Sequence, residues 1–408
     1  MIRKLLPILG VTFIDIIGFS MLIPMLPYFV THFGASPFVV GVLFGTFSLC
    51  QLVTAPLWGH VSDRFGRKRV LIVSQIGATI GWAMLAFAPN IAMVFVARII
   101  EGVSGGNISI TQAYVADLVE AKDRSRAFGL IGAMFGSGMI FGPFVGGLLF
   151  ARFGFSAPFL AAAALQCLTL LLTIVMLPES RSRAAEEERV GLTEILASFR
   201  KPGLSRILWQ KLAISMGLYG WFAVIALYLQ RQLGFSLTQT DYFFSIFAVL
   251  NVFCNVFLVG RISARLGDRT MSNVGLVSLT GAFASLAFVH DLPFLALTMI
   301  LFSFGIALVN TGITALISNA ASDREQGVVL GTSSSLDSLS GILAPPVSTG
   351  LLTAFGPAFA GIESVSFVTL ALAMGLANAR GEARCNASSD GAVALACDVE
   401  TVKAENVQ

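Results

Sequence analysis

Four ionisable residues, Asp15, Arg98, Glu101 and Asp337, each stand inside a long apolar run. A charge at such depth is costly unless it is paired or hydrated, so these positions are the first candidates for function. Arg98 and Glu101 are three residues apart, which on a helix sets them on one face and lets them pair. Asp15 lies about ten residues into its run, or about 15 Å at 1.5 Å per residue, near the midplane of a bilayer. Asp337 falls at comparable depth in the serine-rich stretch 332–340. Carboxyls so placed can take up and release a proton as access to either side alternates. Asp15 has no cationic neighbour in sequence and is the expected proton carrier, with Asp337 as a reserve in the second half. Glu363 lies toward the end of a run and is expected to be wetted.

Other chemistry finds little support. The three histidines, His32, His60 and His290, sit at expected loop ends, and no nucleophile elbow, HExxH pair or phosphate-binding loop is present. The five cysteines show no ligand spacing. No catalytic residue, metal or cofactor is therefore expected. Tyr219, Trp221, Phe222, Tyr228, Phe243, Phe244 and Phe247 could line a cavity for flat lipophilic cations or neutral compounds. Asn107, Gln112, Asn251 and Asn310 are uncharged polar candidates for the same cavity.

The elements that must position these groups follow from composition. Of 408 residues, 56% are hydrophobic and 12% charged, about half the charged fraction usual in soluble domains. That excludes a disordered, nucleic-acid-binding or ordinary cytosolic chain. Apolar runs of about 20 residues, the length a helix needs to cross hydrocarbon, recur twelve times between residues 5 and 377. The expected fold is an all-α membrane protein with twelve transmembrane helices. With the N-terminus inside, 23 of the 26 lysines and arginines fall on cytoplasmic segments, leaving Arg152 and Arg231 outside and Arg98 within a span. The polar stretch 178–206 divides the spans six and six and reads as a cytoplasmic linker, with a short amphipathic helix at 191–200. Residues 1–177 and 207–378 are the two bundles, and 379–408 form a polar, aperiodic cytoplasmic tail expected to be disordered.

The two bundles repeat one another. Gly59, Ser62, Arg64 and Gly66 recur as Gly260, Ser263, Arg265 and Gly267. Phe33-Gly34 answers Leu233-Gly234, Asp123-Arg124 answers Asp323-Arg324, Pro143 answers Pro345, and Phe153-Gly154 answers Phe355-Gly356. All these landmarks keep an offset of 200 to 202 residues, so helix and loop lengths both repeat.

Three motifs carry a resemblance. Residues 59–69, GHVSDRFGRKR, are similar to the GxLaDrxGrkr loop of the major facilitator superfamily. Gly138, Gly142, Pro143, Gly146 and Gly147 resemble the antiporter motif GxxxGPxxGG. Arg98 to Gly102 resembles the RxxxG motif of the twelve-helix drug:proton antiporters, which include the tetracycline exporters. The resemblance implies two six-helix bundles as parallel repeats, with a midplane site between them. It implies that Gly59, Asp63, Arg64, Gly66 and Arg67 form a cytoplasmic gate holding the halves together, and that Arg98 serves proton coupling. The glycine motif on the fifth span would mark an exporter; physically, such glycines give a flat face for close helix approach. Tetracycline exporters carry further acids in the third and ninth spans, whereas residues 77–82 and 272–289 hold none. A metal-chelated tetracycline is accordingly not the expected substrate. The implied partners are a small lipophilic or amphiphilic substrate, protons and the bilayer, with no nucleic acid, for a monomer in the cell membrane. An importer or facilitator of a small metabolite, or a non-transporting receptor on the same fold, are the competing readings.

Overall fold

The computed structural model describes residues 2–105, 107–119, 124–179, 198–320 and 326–388. The expected amphipathic helix at 191–200, apart from its last three residues, and most of the expected linker and tail lie outside these. Helix follows helix: α1 (Ile2–His32), α2 (Pro37–Phe65), α3 (Arg67–Ala86), α4 (Ile91–Val103), α5 (Asn107–Leu118), α6 (Arg124–Phe153) and α7 (Ser156–Met176) form the first half. The second half holds α8 (Pro202–Leu233), α9 (Leu237–Phe253), α10 (Gly260–Ser285), α11 (Leu292–Asn319), α12 (Gln326–Phe355) and α13 (Ile362–Ser388). Local sequence sets the helix starts. Asn90 and Asp291 accept from the backbone N–H groups of Met93 and Phe294, and Ser236 with Gln239 closes a capping box on α9.

Among the described residues, nine helical stretches are long and apolar enough to cross a membrane, and the differences from twelve have local causes. The expected fourth span is interrupted between α4 and α5, where Ser104 and Gly105 close turns back onto Ile100 and Gly102. A π-helical turn at Cys254–Val259 joins α9 to α10, so that Leu237–Ser285 reads as one stretch of 49 residues. Gly267, with non-helical φ 74° and ψ 162°, breaks it into two spans. The last helix has a shorter apolar part, Ile362–Asn378. The arrangement is consistent with twelve spans. α13 runs on to Ser388, so the segment expected as an unstructured tail from 379 starts as helix.

The backbone repeats as the sequence does. Among the described residues, the six glycines with positive φ fall into three pairs: Gly34 with Gly234 (72° and 68°), Gly66 with Gly267 (101° and 74°), and Gly154 with Gly356 (79° and 87°). Only glycine takes such angles without strain, so each marks a turn both halves require. Gly34, Gly154, Gly234 and Gly356 mark one end of the molecule, and Gly66 and Gly267 the other.

The halves meet along two antiparallel seams, α2 against α12 and α6 against α9. In the first, Gly41 faces Thr349 and the Pro345 carbonyl, Gly45 faces Ile342, and Gly341 faces Ser48. In the second, Gly147 faces Asp241, the Phe144 and Tyr242 rings lie 6.1 Å apart, and Gly136 faces Val252. Both seams run from the Gly34 end to mid-depth. Tyr28 adds a cross-half tie there, donating to the Phe235 carbonyl at 2.9 Å and lying 2.7 Å from the Thr240 hydroxyl.

Candidate functional site

A cavity of ≈ 480 Å³ lies between the halves where the seams stop. Its walls are largely apolar and aromatic, with Phe19, Phe44 and Phe47 from the first half opposite Tyr219, Phe222 and Phe247 from the second. Gln51, Asn251 and Asn310 supply uncharged polar groups. An apolar pocket with few convergent polar groups is the usual form of a small-molecule site.

Three charged residues line this cavity: Arg98, Lys211 and Asp337. Arg98 is 1% exposed, pairs with Glu101 behind it, and stacks its guanidinium 4.3 Å from the centre of the Phe47 ring. The helical spacing therefore forms the pair anticipated from sequence. Lys211 on α8 lies 2.7 Å from Asp337 Oδ1, which also accepts from the Ser215 hydroxyl at 2.5 Å. Lys211, expected among the cytoplasmic cations, instead stands inside α8 on the cavity wall. Its position within the expected seventh span was the available signal.

Asp15 is not on the cavity. Its Oδ2 accepts from Asn107 Nδ2 at 3.4 Å, and Gln166 and Thr169 of α7 stand beside it, inside the first half. Asn107 also receives the Ser74 hydroxyl, so it belongs to this internal network rather than to the cavity. Gln112 is exposed elsewhere, and Trp221 packs against Tyr228, Phe283 and Phe302 in the core. Tyr219, Phe222, Phe247, Asn251 and Asn310 line the cavity.

Two acids depart from the sequence reading. Glu363, expected to be wetted, is 5% exposed and accepts from the Ser348 hydroxyl, because α13 turns it inward against Gly220 of α8. Asp241, which sequence reasoning passed over as a span edge, is fully buried in the α6–α9 seam. The capping box at Ser236 and Gln239 was the signal that α9 starts earlier and draws Asp241 inside.

The remaining motifs divide by location. Gly138 and Gly142 pack against Ile16 and Ser20 of α1, with the Ser20 hydroxyl donating to the Gly138 carbonyl at 2.9 Å. Gly146 packs against Met21, and Gly147 reaches across to the second half. Pro143 lies inside α6 between them. In the 59–69 loop, Ser62 donates to the Gly59 carbonyl at 2.7 Å. Arg67 donates to Ser62 Oγ at 2.5 Å and lies 3.4 Å from Asp117. Arg64 stacks 5.5 Å from the Phe65 ring, and Glu179 sits beside Gly66 and accepts from the Lys68 N–H at 3.0 Å. Of these partners, Gly59, Ser62, Phe65 and Asp117 belong to the first half, and Glu179 stands at the start of the 178–206 segment. The Asp63 side chain lies outside the described residues. The second copy of the loop keeps the same bond in altered form, Ser263 to Asp268 at 2.7 Å.

The model of the Major Facilitator Superfamily matches residues 8–345 and 212–381. The chain is 30% identical over 368 residues to the class C tetracycline resistance protein of Escherichia coli, covering 88% of this chain and 92% of that protein. It is 30% identical over 346 residues to multidrug resistance protein 2 of Bacillus subtilis (strain 168), covering 82% and 84%. Among solved structures, a bacterial homologue of the lysosomal transporter Spinster, in an inward-facing and unoccupied conformation, superposes with a TM-score of 0.77 at 17% identity. That match covers 93% of this chain and 96% of the other. The nucleoside transporter NupG superposes with a TM-score of 0.77 at 15% identity, covering 92% and 98%. At these identities the structures speak for the fold.

Proposed function

The chain belongs to the Major Facilitator Superfamily, and on that premise we propose that it is a proton-coupled exporter of small lipophilic or amphiphilic compounds, working by alternating access. The observation that carries this reading is the cavity between the halves, apolar and aromatic on its walls, with Arg98 and the Lys211–Asp337 pair facing it. Aromatic faces suit flat, lipophilic compounds, and the few polar groups fix orientation. Relatives named for tetracycline and multidrug resistance support export of such compounds. The glycine stripe from Gly138 to Gly147 supports the same direction, binding α6 to α1 and to α9.

Coupling is assigned by access. A carboxyl that exchanges protons with substrate must open onto the substrate path. Asp337, 32% exposed on the cavity, meets that condition, whereas Asp15 is enclosed within its own half. We assign proton exchange to Asp337, with the Arg98–Glu101 pair as the second coupling group and Asp15 as its internal support. The Gly66 end is the cytoplasmic one by the distribution of cations, so the seams at the Gly34 end describe an inward-facing form. On this reading both termini are cytoplasmic, the protein works as a monomer in the cell membrane, and the 59–69 loop closes the cytoplasmic side in the opposite state. No catalytic chemistry is assigned.

The test is purified protein in liposomes with an imposed pH gradient, presented with a panel of fluorescent lipophilic compounds. Accumulation that collapses when the gradient is dissipated supports antiport. Movement at the same rate with and without the gradient would make the protein a facilitator.

A further inference from the structure

Asp241 stands out among the acids of the second half. It is 0% exposed, and among the described residues neither carboxyl oxygen has a hydrogen-bond partner. It lies past the first turn of α9, where the capping box serves the N–H groups of Ser236 and Gln239. Across the seam is Gly147 of α6, where an added Cβ would come 2.7 Å from Asp241 Cβ and 2.9 Å from its Oδ2. The Tyr28 hydroxyl of α1 lies 2.7 Å from the hydroxyl of the adjacent Thr240. No charged side chain from α1, α6, α8 or α11 acts on Asp241 among the described residues.

The repeat shows that packing does not require an acid here. α2 and α9 start at Pro37 and Leu237, so the counterpart of Asp241 is Gly41. Pro143 and Pro345 set the counterpart of Gly147 as Thr349. The contact Gly41–Thr349 in one seam thus corresponds to Asp241–Gly147 in the other. One seam closes on a hydroxyl, the other on a carboxyl.

An ionised carboxylate without partner or water is strongly disfavoured, so the closed seam accepts this group neutral. Parting α6 from α9 would wet it and free it to ionise. We propose that Asp241 is a proton-binding site that links closure of the Gly34 end to proton uptake from that side. The closed form then holds one more proton than the open form, so closure is favoured as pH falls and weakens by up to about tenfold per pH unit above ionisation in the open form. The proposal rests on alternating access, and its test needs neither substrate nor gradient.

The experiment places spin labels at Ser36→Cys and Leu292→Cys, both exposed at the Gly34 end on opposite halves, in a chain without other cysteines, in nanodiscs. Distance distributions are recorded across pH. With Asp241 present, the short-distance population should fall as pH rises. Asp241→Asn, nearly isosteric, should remove that one-proton dependence and hold the seam closed. Asp241→Gly, which copies the other seam, should likewise lose the dependence. Infrared spectra of the closed form should show a protonated-carboxyl band that Asp241→Asn lacks. A single distance at every pH would overturn alternation itself. Two populations that ignore pH, or that titrate identically in Asp241→Asn, would overturn the Asp241 assignment alone.

Discussion

Among the described residues, each half of the molecule shows one intramembrane ion pair, and the two differ in how open they are. In the first half Arg98 and Glu101 lie three residues apart on α4, 1% and 6% exposed, with the Phe47 ring over the guanidinium. In the second half Lys211 and Asp337 come from α8 and α12, are 12% and 32% exposed, and meet on the cavity wall. The first pair meets the cavity through Arg98, with Glu101 enclosed behind it. A pair open to the substrate path can be broken and remade as substrate and protons come and go. The contrast is the ground for proposing exchange in the second half, although the sequence concentrates its recognisable charge motif in the first.

The largest effect separates the pairs by what removal leaves behind. Arg98→Ala strands Glu101, buried against Gly81, and should cost about 3–5 kcal/mol of stability. Thermal unfolding in detergent measures this. Glu101→Gln added to Arg98→Ala should recover part of the loss, since it removes the stranded charge. A neutral Arg98→Ala would show that water already reaches the pair, and the contrast between halves would disappear.

A smaller effect distinguishes the seams. At Gly41 a new methyl meets the Thr349 side chain and the backbone carbonyl of Pro345, and the backbone cannot step aside. At Gly147 the obstacle is the Asp241 side chain, which can turn. Gly41→Ala should weaken closure by about 1–3 kcal/mol, the range for overpacking, and Gly147→Ala by less. The Ser36–Leu292 label distance reads both. Equal shifts would make the two seams mechanically equivalent.

Most of the fold was legible because it is written locally. The six positive-φ glycines were among the repeat landmarks, since a turn that needs a left-handed residue leaves a glycine in the sequence. The Arg98–Glu101 pair was legible for the same reason: helical period alone makes it. What escaped depends on which face of a helix meets which neighbour. Apolar spans bury residues on every side, so periodicity gives no rotation: the depth of Asp15 is readable from sequence, but not that it faces α5 and α7. Lys211 was lost to orientation counting, because a cation one turn inside a span resembles one just outside it. Glu363 was taken as wetted from its place along α13, but Gly220 leaves room for the carboxyl to turn inward.

The smallest effect on the fold is expected at the open pair, where it tests coupling most directly. Lys211 and Asp337 face a cavity, so separating them should cost no more than about 1 kcal/mol, as for pairs that water can screen. Both variants should therefore fold, and their effects on transport can be read without a correction for lost protein. Asp337→Asn removes the exchangeable proton but keeps the Ser215 hydroxyl within reach of a side-chain oxygen. It should abolish accumulation driven by a pH gradient while allowing downhill exchange of preloaded substrate. Lys211→Gln keeps the carboxyl of Asp337 but removes the cation 2.7 Å from it. Gradient-driven transport should persist in Lys211→Gln. The measurement is substrate-evoked proton release from purified protein in weak buffer: absent in Asp337→Asn, present in Lys211→Gln. Wild-type release from Asp337→Asn would return the coupling role to the first half, to Glu101 or Asp15, and reverse the division of labour drawn from the two pairs.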